Sequence, residues 1–261
     1  MARILMPLPD TDFDTTEVAV PWRLATRAGH DVVFATEQGT APPACDPLLM
    51  TGVIFGALGT ADEPKQFYRE LVASREFNNP IAWHAIEPAD YDALILPGGH
   101  APGMRQYLGS ATLQSKVAAF WQLERPVGAI CHGVLVLARA RDATGASVLR
   151  DSRTTCLPKY MERSAFLLTF WRRGRYYRTY AAYVEDEVRS ALANPDSQFV
   201  EGPKVRTERG TATDDSAAFV VEDGRYLSAR WPGDSYLFAK KLLARLEPAA
   251  TPKGPAVAAG V

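Results

Sequence analysis

One stretch constrains the fold more than any other: Pro126-Val127-Gly128-Ala129-Ile130-Cys131-His132-Gly133-Val134. It opens apolar and β-prone, then breaks at Cys131-His132-Gly133. From Val134 to Ala140, Val134, Leu135, Leu137 and Ala138 recur at near-helical spacing. A strand running directly into a helix, with a reactive side chain at the junction, is the geometry of a nucleophile elbow. Such a turn lifts the side chain off the sheet and aims the first N–H groups of the helix at it. That environment favours an anion, so the pattern predicts a thiol that gives up its proton readily. The competing reading of Cys131 is a small buried hydrophobe.

The chain leading up to this stretch alternates strands and helices. Ala2 to Leu8 reads as a buried strand ended by Pro9 and the polar loop Asp10-Thr11-Asp12. Asp14 or Thr15 can cap a helix that runs to about Ala28, with Gly29 as its stop and a bend expected at Pro21. Glu17 falls in the first turn of that helix, where the helix dipole alone would favour an acid. Val32 to Ala35 is a second strand, giving a β-α-β opening at the spacing of a parallel sheet. Residues 39–80 lose the regularity and read as an insertion over the sheet edge, with a helix from Glu63 to Ser74. Tyr91 to Leu96 resumes as a buried strand and stops at Pro97-Gly98-Gly99-His100. Two adjacent glycines allow a tight turn with exposed N–H groups at the carboxyl end of a strand, where open α/β sheets bind ligands. A helix over 110–123 then leads to the Cys131 strand, so two glycine-rich strand ends point to one rim.

Beyond the elbow, Thr154 to Leu157 reads as a short strand and Lys159 to Phe170 as a helix. The run from Trp171 to Tyr183 interleaves arginines with aromatics. Such a run can grip an anionic substrate or stack in a nucleic-acid groove, but a subunit contact or a lid over the site is the favoured reading. A helix over 184–193, a strand pair around Asp223-Gly224 and a helix over 234–246 complete the pattern. The last helix is expected to bury Leu237, Leu242, Leu243 and Leu246. The expected organisation is one domain over 1–247, followed by an Ala/Pro/Gly-rich disordered tail over 248–261.

Bulk properties narrow the function classes. With 261 residues, 47% hydrophobic, 23% charged and a formal net charge of −1, the chain offers no electrostatic case for nucleic acid or an acidic membrane. No apolar run reaches the length of a membrane span, and the N-terminus lacks a secretory core, so a cytoplasmic protein is expected. Cys45, Cys131 and Cys156 are too few and too scattered for a disulfide scaffold, and the four histidines form no metal-ligating pattern.

Glu17, Pro97-Gly98-Gly99-His100 and Ala129-Ile130-Cys131-His132-Gly133, in that order on alternating elements, resemble the DJ-1/PfpI superfamily. Within it, the long insertion and the two glycine-rich runs are most similar to the larger branch of heat-shock chaperone/glyoxalase III proteins. The resemblance spans roughly residues 2–246. It implies an α/β, flavodoxin-like three-layer sandwich with a mostly parallel central sheet and a nucleophile elbow, the class I glutamine amidotransferase-like fold. It also implies Cys131 as nucleophile, Glu17 as the carboxylic acid beside its sulfur, and His132 as base or proton shuttle. Gly99 and the backbone after Cys131 would supply oxyanion N–H donors, with Gly98 and His100 in the pocket. The acid expected to orient His132 is displaced here: Pro158 is followed by Lys159-Tyr160-Met161, and Glu162 is the first candidate. The expected activity is a glutathione-independent glyoxalase III reaction, methylglyoxal to lactate, on a small-molecule substrate with no added cofactor or metal, in a homodimer that binds neither nucleic acid nor membrane. An amidase or peptidase-like hydrolase using Cys131 is the first alternative. A stress chaperone or redox sensor is the second.

Overall fold

The computed structural model describes residues 1–53 and 58–247; the tail expected at 248–261 lies outside the described residues. Strands β1 (Arg3–Pro7), β2 (Thr11–Phe13), β3 (Asp31–Thr36), β4 (Ala44–Cys45), β5 (Ile81–Ala82), β6 (Ala93–Leu96), β7 (Val127–Ile130), β8 (Val220–Asp223) and β9 (Tyr226–Ala229) form two sheets. The main sheet runs β5-β3-β1-β6-β7-β9-β8, parallel except for the β8–β9 hairpin. Register is set by pairs such as Ile4 with Val32 and with Ala93, Leu96 with Ala129, and Ile130 with Ala229. Every residue of β6 and β7 is buried, because helices cover both faces. This is the doubly wound, flavodoxin-like order, and its direction of winding reverses between β1 and β6. The carboxyl ends of β1, β6 and β7 meet at that reversal.

The helices are α1 (Thr15–Arg27), α2 (Pro47–Thr51), α3 (Asp62–Val72), α4 (Met104–Gly109), α5 (Ala111–Trp121), α6 (Val134–Arg139), α7 (Lys159–Arg173), α8 (Val184–Ala191), α9 (Pro195–Gln198) and α10 (Ser235–Ala244). One layer packs α1 against α3 and α10; the other packs α6 against α5 and α8. Helix α1 continues through Pro21, capped by Asp14 and ended by Gly29 at φ 78°. In α10 the deepest residues are Tyr236, Phe238, Ala239 and Leu242, so Phe238 takes the place expected for Leu237.

Within residues 39–80, Gly39 approaches the edge strand β5 at Ala82. The helix of this insertion, α3, packs on α1, tied by the Arg23–Glu70 ion pair at 2.9 Å and by edge-on rings of Phe13, Phe34, Tyr68 and Phe77. The expected loop Asp10–Asp12 also holds part of β2, which pairs with β4 and fixes the chain entering α1. The strand expected at Thr154–Leu157 is reduced to one bridge, Thr154 to Phe199. Its polar groups turn inward instead: Thr155 N donates to Ser228 Oγ (2.9 Å), and Thr154 Oγ1 pairs with Tyr226 (2.8 Å).

Residues 204–219 form no helix or strand. They are clamped from below by Arg230 and Asp234, both fully buried and joined bidentately at 2.8–2.9 Å. Arg230 also donates to the carbonyls of Pro203 and Ala217, while Asp234 accepts the Phe219 N–H at 2.9 Å. The fork of the guanidinium thus closes both ends of the loop onto the end of β9.

Candidate active site

At the end of β7 the backbone turns sharply, and Cys131 sits at φ 58°, the left-handed region that non-glycine residues rarely adopt. The next elements must approach the neighbouring strand closely. A Cβ on Gly133 would stand 2.1 Å from Leu96 O, and one on Gly98 would stand 2.7 Å from His132 N and 2.9 Å from Glu17 Oε2. Only glycines permit this contact, which is why the Gly98 and Gly133 turns converge on Cys131.

Glu17 reaches the sulfur from the other side. Asp14 caps α1, accepting the N–H groups of Thr16 (2.8 Å) and Glu17 (3.1 Å), and its own N–H donates to Gly98 O at 2.9 Å. Helix α1 is thereby tied to the exit of β6. The Glu17 side chain, with no exposed surface, accepts the Gly98 N–H at 2.7 Å through Oε2. Burial, and then the charge of Asp14, push the Glu17 carboxyl well above its ordinary range. Asp14 itself is pushed up by burial to about 6.

The thiol does not lose its proton readily, contrary to the expectation from the helix end. Burial first, then the carboxyls of Glu17 and Asp14, push Cys131 well up, and the His132 N–H only partly opposes them. The turn Cys131–Gly133 is followed by a helix of just six residues, and its end field is outweighed by burial and two carboxyl groups. Sulfur and the two carboxyls cannot all be charged together, so the group shares protons, with Glu17 and the thiol both pushed toward their protonated forms.

His132 forms the opposite flank. Its Nδ1 lies 3.4 Å from Cys131 Sγ, and its Nε2 lies 3.2 Å from Thr179 Oγ1. Thr179 commits its hydroxyl proton to His100 O at 2.7 Å, so Oγ1 accepts from His132. This network assigns the Nε2–H tautomer and leaves the Nδ1 lone pair facing the thiol. Burial, with His100 and Arg139 nearby, holds His132 down to about 3, so the ring is neutral.

Glu162 does not orient His132. It is buried, but its Oε2 accepts the Val184 N–H at 3.0 Å and its Oε1 pairs with Arg178 Nε at 3.2 Å. The place expected for an acid belongs to a threonine hydroxyl instead. His100 lines the cavity, stacked on Tyr177 at 4.2 Å and 3.4 Å from Asp46 Oδ2, and burial lowers it to about 4. The second half of the aromatic and arginine run is therefore site wall: Tyr176 bonds Asp46 (2.6 Å), Tyr177 stacks on His100, Arg178 lies 3.8 Å from the Tyr183 ring, and Thr179 holds His132. No local pattern in that run marks Thr179. Arg209, across the site, was equally silent in the sequence.

These groups open into a cavity of about 750 Å³, walled by Leu157, Met161, Ala165 and Leu168 on one side and Trp231 and Arg209 on another. Among the described residues, no group of three or more His, Cys, Asp or Glu stands where it could hold a metal ion, and Cys45, Cys131 and Cys156 are free. No helix there is long and apolar enough to cross a membrane.

A doubly wound sheet with a cysteine elbow at its winding reversal, faced by a glutamate from the first helix, defines a class of α/β proteins. The family model described as ThiJ/PfpI family-like matches residues 8–203, and the chain belongs to the ThiJ/PfpI family. It is 28% identical over 250 residues to an uncharacterized protein of Schizosaccharomyces pombe, covering 92% of this chain and 82% of that one. A deglycase of Pyrococcus abyssi is 24% identical over 245 residues, with 94% of this chain and 99% of the relative covered. The crystal structure of glyoxalase III from Candida albicans superposes with a TM-score of 0.68 at 20% identity, covering 94% and 98% of the two chains.

Proposed function

We propose that this protein is a cysteine-dependent enzyme that isomerises and hydrates reactive α-oxoaldehydes, methylglyoxal to lactate being the simplest case, without glutathione. One observation carries the reading: the Cys131 sulfur has the His132 Nδ1 atom 3.4 Å to one side and the buried Glu17 carboxyl, which burial pushes toward its protonated form, on the other. A deglycase and a glyoxalase III among the similar proteins support carbonyl chemistry.

The chemistry follows from those two flanks. As sulfur adds to the aldehyde carbon, its proton passes to His132 Nδ1 and Glu17 protonates the developing alkoxide, giving a hemithioacetal. The Glu17 carboxylate then takes the proton from that carbon while His132 protonates the neighbouring carbonyl oxygen, forming an enediol. Glu17 returns its proton to the second carbon, His132 takes the proton of the first hydroxyl, and a thioester results. One carbon is oxidised and its neighbour reduced, so no external redox partner enters. Water, deprotonated by Glu17, cleaves the thioester, and His132 reprotonates the leaving sulfur. The N–H of His132, which favours the thiolate, and that of Gly99, which bonds no acceptor among the described residues, serve the developing oxyanion.

The test is methylglyoxal consumption with D-lactate detection, without glutathione, for wild type, Cys131→Ala and Glu17→Gln. Turnover in the wild type and its loss in both variants is the expected outcome; a wild type without turnover overturns the reading. A peptidase or amidase is disfavoured because His132 has a hydroxyl partner and no acid behind it. A chaperone role has one observation in its favour, the exposed Leu167, Phe170 and Trp171 of α7. Leu167→Glu with Trp171→Glu would then abolish suppression of client aggregation while aldehyde turnover persists. The homodimer expected from the resemblance is checked by sedimentation velocity.

A further inference from the structure

The cavity is far larger than methylglyoxal needs. At about 750 Å³ it lies within the range of about 300–1,000 Å³ that encloses ligands of drug size. Its far wall is apolar, built from Leu157 and the inward side of α7, including Met161, Ala165 and Leu168. The facing loop carries three cations, Lys204, Arg206 and Arg209, all lining the cavity. None of the three forms an ion pair or a side-chain hydrogen bond among the described residues. Glu208, the carboxylate between them, folds back onto the N–H groups of Arg206 (2.8 Å) and Thr207 (3.0 Å).

Two of these cations are nonetheless placed. The Arg209 guanidinium lies 4.9 Å from the Trp231 ring and Lys204 Nζ 5.8 Å from the Tyr160 ring, contacts that orient a cation without using its hydrogen-bond donors. Of the other arginines on aromatic rings, Arg139 pairs with Glu187 at 2.6 Å and Arg178 with Glu162 at 3.2 Å, whereas Arg27 on Phe67 and Arg225 on Trp121 form no ion pair among the described residues and line no part of this cavity. Asp14 and Glu17 are the carboxyls that face Arg209 electrostatically, but neither forms an ion pair with it within 4 Å, and burial raises both. In a chain of net charge −1, cations left without a partner at a ligand cavity imply that the partner arrives with the ligand.

We propose that the site takes aldehydes larger than methylglyoxal, in which an apolar body separates the reacting carbonyl from an anionic group, carboxylate or phosphate. The body lies along α7 and the anion meets Arg209 with Lys204 and Arg206. This specifies the substrate class of the carbonyl chemistry proposed above and rests on that reading for the reacting end.

The test separates binding from turnover by using unreactive ketones. Acetophenone, 4-acetylbenzoate and 4-acetylphenyl phosphate are titrated calorimetrically into wild type, into Arg209→Gln, and into the double variant Lys204→Ala/Arg206→Ala, with thermal melts to show that each folds. At least one anionic ketone should bind the wild type tenfold or more tightly than acetophenone, and the tighter of the two identifies the anion. That preference should shrink at least fivefold in Arg209→Gln and less in the exposed double variant, with acetophenone affinity unchanged. Equal affinities for the neutral and anionic ketones, or no heat from any of them, overturn the proposal. The preference present in a wild type that turns over no aldehyde overturns the enzymatic reading alone.

Discussion

The two flanks of the Cys131 sulfur are built by different means. The carboxyl flank is part of the frame: Glu17 stands in the first turn of α1, and backbone bonds from Asp14 and Gly98 lock it to the exit of β6. The imidazole flank is assembled from a distance: His132 follows the cysteine, but Thr179, the group that fixes its tautomer, comes from a run 47 residues further on. The first flank is rigid and holds a proton; the second is neutral and is steered by a hydroxyl. Geometry that must not move is placed in the sheet frame, and geometry that sets a proton's direction is left to side chains in a covering loop.

Four substitutions or titrations bear on that contrast. Glu17→Gln removes the carboxyl beside the thiol and should lower kcat by about 10²–10⁴-fold, the usual size of a general acid–base term; a loss under tenfold would place the proton relay elsewhere. Thr179→Val keeps the shape and frees the His132 tautomer. A loss in kcat of about tenfold is expected, with KM little changed, and Thr179→Ser should restore most of it; an unchanged kcat in Thr179→Val would dissolve the second flank.

Glu162→Gln sharpens the comparison by its small effect on chemistry. Turnover at 25 °C should stay within about twofold, while the buried Arg178 left without its charge costs about 2–4 kcal/mol, read as a fall in Tm. A much larger loss of turnover would return Glu162 to the site. The smallest effect is a pH dependence. His132 titrates near 6.5 unfolded and about 3 folded, so between those values the unfolded state binds the extra proton, and stability falls as pH falls. Relative to His132→Asn, the wild type should lose about 1 kcal/mol per pH unit on acidification from 6.5 toward 4, measured by urea unfolding. Asp14 and Glu17, whose folded values are raised, act with the opposite sign and cancel in that difference, provided the variant leaves them in place.

The frame was legible because it is local. The apolar run before Cys131, the glycines at Gly98 and Gly133, and an acid in the first turn of α1 lie on short segments whose period or composition dictates their backbone. Thr154–Leu157 misled because its β-prone composition is used to bond Ser228 and Tyr226 across the sheet end. Glu162 misled because the first turn of α7 does bury an acid, but packs it against α8 and Arg178. Thr179 and Arg209 lie in segments with no period to read, and only long-range packing brings them to the sulfur. The thiol's raised proton affinity was invisible for the same reason, since the helix end is a sequence-local effect and burial beside two carboxyls is not.

The clamp of Arg230 and Asp234 under residues 204–219 makes that stretch an exchangeable cassette. Both of its ends are stapled to the end of β9 through the Pro203 and Ala217 carbonyls and the Phe219 N–H, and Gly210 and Asp215 add ties to Gly233 and Lys240, so the exposed residues between these ties can be changed with the backbone held. Selection can then change which molecules are admitted one residue at a time, while what is done to them stays fixed. An engineer could use the same seam, grafting loops of other charge between those staples onto an unaltered Cys131, Glu17 and His132.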